Sequence, residues 1–433
     1  MIWSSNETLS RSEIENIQLK NLQKQVKYAY DNVFYYKNKM DEKNIKPEDI
    51  KNLSDVKLLP FITKQDFRDT YPFGMFAVDR KKLHRVHASS GTTGKPTVVG
   101  YTENDMKNWT ETVARVAAAG GAEESDVAQI CFGYGMFTGA LGLHYGLENI
   151  GCEIIPASVG NTNKQIMFME DLNSTILVAT PSYALHLSES ILQMGKKPSD
   201  FNLRIGLLGG EGTSEKMRKE LNKIWDNKVL FTQNYGMSEL NGPGIAGECE
   251  YLNGMHIMED HFLAEIIDPK TEEVLPPGSE GELVITCLTK EAIPLIRYRT
   301  RDITTLHYEK CECGRTTVRM EPLKGRTDDM LVIKGVNVFP SQIESVLMNI
   351  KEVGANYELI VETKNHMDNL ELKVELLDYE LLNSYKQLEE LECKIVSGIK
   401  EVIGLGIKVT LVAPRTLRRF EGKAKRVTDL RDK

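Results

Sequence analysis

A chain of 433 residues is too long for one ordinary domain and predicts two or three. Its 41% hydrophobic and 27% charged residues describe a globular protein with a large core, and a net charge of −8 removes the electrostatic case for a nucleic-acid binder. The opening residues carry no basic segment followed by an apolar one, no apolar run reaches the roughly 18–20 residues that cross a membrane, and seven cysteines in so long a chain argue for a reducing compartment, so a cytoplasmic protein without a membrane partner is expected.

The first 75 residues read as helical and polar, with apolar and aromatic residues at helical spacing from Asn21 to Tyr36. From Leu83 the rhythm changes. Short β-branched runs at 127–132, 152–156, 175–179, 204–208 and 229–233 alternate with helical stretches at 103–119, 164–173, 182–194 and 214–225. Thr102, and Thr213 or Ser214, stand where helix N-caps are wanted. Alternation of this kind predicts an α/β domain with a parallel sheet and ligand sites where strands end. Beyond Glu259 strands follow one another without helices, at 263–267 and 281–287 around the turn Pro276-Pro277-Gly278. After about Thr327 a third pattern predicts a small α+β domain of about 105 residues, with a helix at 341–349, paired strands at 357–363 and 370–377, a helix at 384–403 and a strand at 407–413. The expected architecture is a large domain over 1–327, with parallel-rich sheets, helices and a β-rich subdomain, followed by a small mobile α+β domain over 328–433.

Between two candidate strands, 83–87 and 97–101, lies Ser89-Ser90-Gly91-Thr92-Thr93-Gly94-Lys95-Pro96. Two glycines permit positive φ and close approach to a ligand, while four hydroxyls, successive N–H groups and one ammonium make an anion cradle. It is not a Walker loop, which needs four residues between Gly and Gly-Lys where this chain has two. A plain Ser/Thr/Gly hairpin is the competing reading of such a string.

Four further strings follow in order: Tyr235-Gly236-Met237-Ser238-Glu239, Tyr298-Arg299-Thr300-Arg301-Asp302, Gly325-Arg326-Thr327-Asp328-Asp329 and Glu421-Gly422-Lys423. With the Ser89 loop, this set resembles the adenylate-forming superfamily of acyl-CoA ligases, luciferases and peptide-synthetase adenylation domains over residues 88 to 425. The stretches 325–344 and 240–249 are similar to the phenylacetate–CoA ligase group within it. Arg301 departs from the Gly that most superfamily members carry there, as this group does.

The resemblance implies an ATP-dependent ligase that activates an aryl or arylacetic acid as acyl-AMP and transfers it to coenzyme A. Ser89, Ser90, Gly91, Thr92, Thr93, Gly94 and Lys95 would hold the β- and γ-phosphates. Gly210, Glu211, Asn234, Tyr235, Gly236, Met237 and Ser238 would flank the nucleotide, although Tyr235 could equally be core. Glu239 would bind Mg²⁺, a hard cation that takes few protein carboxylates when it bridges phosphates. Asp302 would accept the ribose hydroxyls, with a salt bridge to Arg299 or Arg301 as the alternative. Arg326 would hold phosphate or ribose, and Asp328 resembles the hinge residue. Lys423 would bridge the α-phosphate and the attacking carboxylate, yet it sits in a basic tail that reads equally as a solvated face. Lys334 and Gly335 are assigned to coenzyme A, and Tyr134 and Phe137, in 133–140, to an apolar acid.

Cys249, His256, Cys311 and Cys313 form C-x6-H and C-x-C pairs that suit a structural Zn²⁺, with reduced buried cysteines as the alternative. A homodimer is implied by the family alone. A second function stays open, an adenylyl transferase or ligase acting on a deazaflavin cofactor or a carrier protein. A scaffold that only senses ATP would lack Lys423, Glu239 or Asp302, and all three are present.

Overall fold

The computed structural model describes residues 1–89, 96–329, 331–334, 336–364, 367–420 and 425–431. The N-terminal helix Arg11–Asn32 starts at a capping box, Ser10 with Glu13, and buries Ile14, Gln18, Leu22, Gln25, Val26 and Ala29. Those residues recur every three or four positions, so one stripe faces the core and the other faces water.

Five parallel strands form the first half of the central sheet, in the order Glu153–Ile155, Val127–Ile130, Ile176–Ala179, Ile205–Leu208 and Leu230–Tyr235. Ile176–Ala179 and Ile205–Leu208 are buried along their whole length, as expected where helices cover both faces. The helix Glu103–Ala119 begins where Thr102 and Asp105 form a capping box, and Ser214 caps Glu215–Ile224. The expected helix at 164–173 instead spans Thr162–Asp171, because the Asn161 side chain accepts from the Lys164 amide and sets the start.

The sheet then continues antiparallel through Ala246–Glu248, Met255–Ile257, Arg319–Met320, Tyr298–His307, Glu280–Cys287 and Phe262–Ile267. The β-rich part is therefore continuous with the parallel part in one 12-stranded sheet. Arg301 has φ +69°, the left-handed region that favours glycine, at the position where most superfamily members carry Gly.

The C-terminal domain has its own core around Ile343, Leu359, Leu372 and Ile395. Its four-stranded sheet runs Lys408–Val412, Met367–Leu376, Val353–Lys364, Val427–Asp429, with the middle pair antiparallel and both outer pairs parallel. The helices are Pro340–Met348 and Tyr385–Ile403, the latter ending at Gly404 with φ +71°. The sequence reading lacked Val427–Asp429, a three-residue strand too short to show alternation.

Candidate active site

Three of the predicted segments follow the carboxyl ends of parallel strands. Val127–Ile130 leads to the Tyr134 segment, Ile205–Leu208 to Gly209-Gly210-Glu211, and Leu230–Tyr235 to Gly236–Glu239. Strands Arg85–Ala88 and Val98–Tyr101 pair antiparallel and deliver the Ser89 loop to the same region. Its described ends are closed by Ser89 N–H donating to the Thr97 carbonyl at 3.0 Å, and by Thr97 N–H donating to Ser89 Oγ at 3.2 Å. Ser90, Gly91, Thr92, Thr93, Gly94, Lys95, Gly335 and Lys423 lie outside the described residues. The hairpin is tied to the candidate acid segment: Ala88 N–H donates to the Met136 carbonyl at 2.9 Å, and His87 Nδ1 donates to the same oxygen at 3.1 Å. Burial pushes the His87 imidazole down, so it is neutral near pH 7.

Asp302 lies on Tyr298–His307, opposite Arg326 in the antiparallel register. Its Oδ2 accepts from the Tyr235 hydroxyl at 2.6 Å and its Oδ1 from Arg326 at 2.7 Å. The alternative partners are engaged elsewhere: Arg299 is bidentate to Glu282, at 2.9 and 2.8 Å, and Arg301 approaches the same carboxylate at 3.5 Å. Burial raises the Asp302 carboxyl to about 6, and the Arg326 charge and the Tyr235 hydrogen bond oppose that rise. Arg326 also grips Asp328 through two bonds of 2.9 and 3.1 Å, so one guanidinium joins the Asp302 carboxylate to the candidate hinge.

Glu239 is buried, and its Oε1 accepts from the Tyr298 hydroxyl at 2.9 Å. Lys290, itself buried, donates to the carbonyls of Glu239 and Leu240 at 3.0 and 2.5 Å and lies over the Tyr101 ring at 4.6 Å. Sequence reasoning missed both partners. Tyr298 had a signal, because strand alternation puts it on the same face as Asp302, four residues on. Lys290 had none.

The glycines divide by cause. A Cβ on Gly236 would lie 2.7 Å from Gly242 Cα and 2.8 Å from Pro243 Cα, so backbone crowding alone requires this glycine. Gly210 has φ +81°. A Cβ on Gly209 would meet the Asn234 side chain at 2.7 Å, and Asn234 donates to the Leu208 carbonyl at 2.8 Å. Glu211 accepts from Ser182 N–H at 2.7 Å, and Ser238 Oγ lies 3.2 Å from Thr138 Oγ1. Met237 is partly buried against the core. Tyr134 lies 3.0 Å from His144 Nδ1, Phe137 is 51% exposed, and Lys334 has φ +51° in the turn between Leu331–Ile333 and Val336–Val338.

Away from this region, Cys249, His256, Cys311 and Cys313 converge, their donor atoms all within 4.8 Å of one another. Antiparallel pairing of His256 with Arg319 closes the long sequence gap. Cys249 and Cys311 sulfurs are 3.8 Å apart, Cys313 Sγ is 3.5 Å from His256 Nε2, and His256 Nδ1 is 3.2 Å from Thr317 Oγ1. A hydrogen bond with Cys249 holds the Cys313 thiol below the usual range and pushes the Cys249 thiol up. No helix among the described residues is long and apolar enough to cross a membrane.

Comparisons with known proteins agree with this geometry. The AMP-binding enzyme family matches residues 15–287, and the AMP-binding enzyme C-terminal domain matches 335–431. The chain is 46% identical to phenylacetate-coenzyme A ligase of Thermus thermophilus, covering 98% of each protein. It is 44% identical to the Escherichia coli enzyme of that name, covering 98% of this chain and 97% of the relative. Among solved structures, 2-hydroxyisobutyryl-CoA ligase in the postadenylation state superposes with a TM-score of 0.88 at 26% identity, over 98% of this chain and 91% of that one. The same ligase in the thioesterification state gives 0.72 at 27% identity, over 99% and 92%. Identity at this level over nearly the whole of both chains places the chain in the phenylacetate–coenzyme A ligase family of AMP-binding enzymes.

Proposed function

We propose that this ligase activates a phenylacetate-like aryl or arylacetic acid with ATP and transfers the acyl group to coenzyme A, releasing AMP and pyrophosphate. The observation that carries the reading is 44–46% identity over nearly the whole chain to four phenylacetate-coenzyme A ligases. A carboxylate oxygen attacks the α-phosphorus and pyrophosphate leaves. The thiolate of coenzyme A then attacks the acyl carbon, and AMP leaves with the oxygen it gained.

Such a displacement has little covalent work for the protein, so positioning and charge supply most of the acceleration. Asp302 accepts the ribose hydroxyls, with Tyr235 and Arg326 fixing its carboxylate. Gly210, Glu211, Asn234, Gly236, Met237 and Ser238 line the nucleotide's path, and Ser89 to Lys95 takes the β- and γ-phosphates. Glu239, whose Oε1 is fixed by the Tyr298 hydroxyl, would hold Mg²⁺, which would supply positive charge against the phosphates. Lys423 reaches the α-phosphate from the C-terminal domain, which turns about Asp328, so the domain limits 1–327 and 328–433 belong to this reading. Tyr134 and Phe137 contact the acid, and Lys334 and Gly335 the coenzyme A.

The Cys₃His set fits a structural Zn²⁺. A tetrahedral ion with sulfurs at about 2.3 Å has sulfur–sulfur edges near 3.8 Å, the Cys249–Cys311 separation, whereas a disulfide would need about 2.05 Å. The closed shell leaves no position for a substrate. A cytoplasmic homodimer completes the proposal, read by light scattering and cell fractionation.

The test is a panel of aromatic and aliphatic acids assayed for AMP release with and without coenzyme A. Phenylacetate-like acids are expected to lead, with product formation depending on coenzyme A. Acid-dependent adenylation whose product passes only to another acceptor would overturn the coenzyme A assignment.

A further inference from the structure

Beyond the reacting groups, the two domains meet through a set of charged contacts that the chemistry above does not use. Lys216, on the helix Glu215–Ile224, donates to the Ile350 carbonyl at 2.9 Å and lies 3.4 Å from the Leu347 carbonyl. The Leu347 carbonyl is in the last turn of the helix Pro340–Met348 and Ile350 follows just beyond its cap, so an ammonium from the large domain sits at the negative end of a helix in the small one. Nearby, Glu189 on Pro181–Gln193 approaches the Arg419 guanidinium at 3.4 Å. Arg419 is itself held by Glu375, at 2.8 and 2.9 Å, and so is presented to Glu189 as a preset fork. Ala355, at the start of the strand Val353–Lys364, is buried in the large domain's second apolar cluster.

Glu220 sits within this contact, one turn beyond Lys216. Its Oε1 is buried and accepts no hydrogen bond from the described residues. The groups facing it are Lys216 from its own helix, Glu189 from the neighbouring helix, Arg419 from the C-terminal segment and the Ala355 N–H, while Glu352 faces Lys216 from the small domain. Burial, reinforced by Glu189, raises the Glu220 carboxyl to about 7 against Lys216, Arg419 and the Ala355 N–H. Against the same neighbour ligase, the fit is 0.88 in the postadenylation state but 0.74 in the open conformation and 0.72 in the thioesterification state, so the domain orientation seen here is the one these contacts accompany.

We propose that Lys216 and Glu189 are positioning residues that latch the C-terminal domain in its adenylating orientation, and that Glu220 is the release, loosening the latch when it ionises. The inference rests on the two-step ligase reading above. Rotation of the small domain takes Arg419, Ala355 and Ile350 away and returns Glu220 to water, where its carboxyl regains an ordinary value. The docked form binds the extra proton, so docking is strongest at low pH and weakens as pH rises through the interval between about 4.5 and about 7. Taking those two values, the docking equilibrium falls about tenfold between pH 6 and pH 8 and levels off above that.

The experiment compares wild type, K216M, E189Q and E220Q in two half-reactions: phenylacetate-dependent ATP–pyrophosphate exchange, and thioester formation from synthetic phenylacetyl-adenylate plus coenzyme A. In parallel, a donor–acceptor pair on the exposed Cys393 and on a cysteine replacing Lys228 reports domain docking from pH 5.5 to 8.5. K216M and E189Q should lower exchange five- to tenfold, leave thioester formation unchanged or faster, and shift the distance toward the undocked value. E220Q should keep exchange and flatten the pH dependence of docking. Equal loss in both half-reactions, no loss in either, or an E220Q docking profile as steep as wild type would overturn the latch. Wild type without any phenylacetate-dependent exchange would instead sink the ligase reading, and the distance profiles would still decide the latch.

Discussion

Asp302 makes the most quantitative prediction for nucleotide binding. Its carboxyl is raised to about 6 by burial in the protein without nucleotide, and it must be ionised to accept two ribose hydroxyls. The sign follows directly: the nucleotide selects the ionised form, so affinity is full above pH 6 and falls as pH drops through that value. Each unit below it costs about tenfold. Adenosine is the appropriate probe, because a phosphomonoester titrates near pH 6 itself. Calorimetric Kd values should be flat from pH 8 to 6.5, about twice as weak at pH 6 and about tenfold weaker at pH 5. Asp302→Asn removes the charge, and hydrogen bonds to a charged group carry about 1.5–3 kcal/mol each, so this variant should bind at least tenfold more weakly at pH 7.5 with no slope below pH 6. Adenosine affinity that stays level to pH 5 in wild type, or an undiminished Asp302→Asn, would refute the ribose assignment.

Other expectations follow from buried groups. Lys290→Met removes the ammonium from the carbonyls of Glu239 and Leu240. It should cost about tenfold in kcat/KM, or about 1.4 kcal/mol, together with a weaker response to Mg²⁺ in a fluorescence titration of the ATP-bound protein. Unchanged Mg²⁺ dependence would mean that Glu239 does not rely on this clamp. Arg218→Met strips Glu248 of a bidentate partner at 3.0 Å, with the two side chains 7% and 2% exposed, and should destabilise the protein by about 3–5 kcal/mol in urea unfolding. A loss under about 1 kcal/mol would show that the carboxylate finds another partner. Protein purified without added zinc should carry about one Zn²⁺ per chain, and Cys311→Ser should lose both the metal and thermal stability; under about 0.2 Zn²⁺ per chain would remove the metal from the account.

Much of this was legible locally. The Thr102 and Ser214 caps, the alternation of strands with helices and the separate rhythm after Thr327 each reflect forces acting within a few residues, and all appear in the structure. What was not legible joins distant segments. Tyr298 reaches Glu239 across 59 residues, Lys290 reaches it across 51, and Lys216 meets Ile350 across 134. No periodicity encodes such pairs, because the sheet's register decides them. Gly236 shows the converse. Its motif suggested a place beside the nucleotide, while the structure supplies a steric reason in the Gly242–Pro243 backbone. The cysteine pairs were visible as spacings, and the strand pairing of His256 with Arg319 brought them into one shell.

In the proposed reaction a carboxylate oxygen attacks the α-phosphorus before the thiol acts. Phenylacetate labelled with ¹⁸O at both carboxylate oxygens, incubated with ATP, Mg²⁺ and coenzyme A, tests it by mass spectrometry of the products. AMP carrying one ¹⁸O, unlabelled pyrophosphate and a thioester retaining the other ¹⁸O are expected. Unlabelled AMP, or label in released phosphate together with ADP, would contradict it.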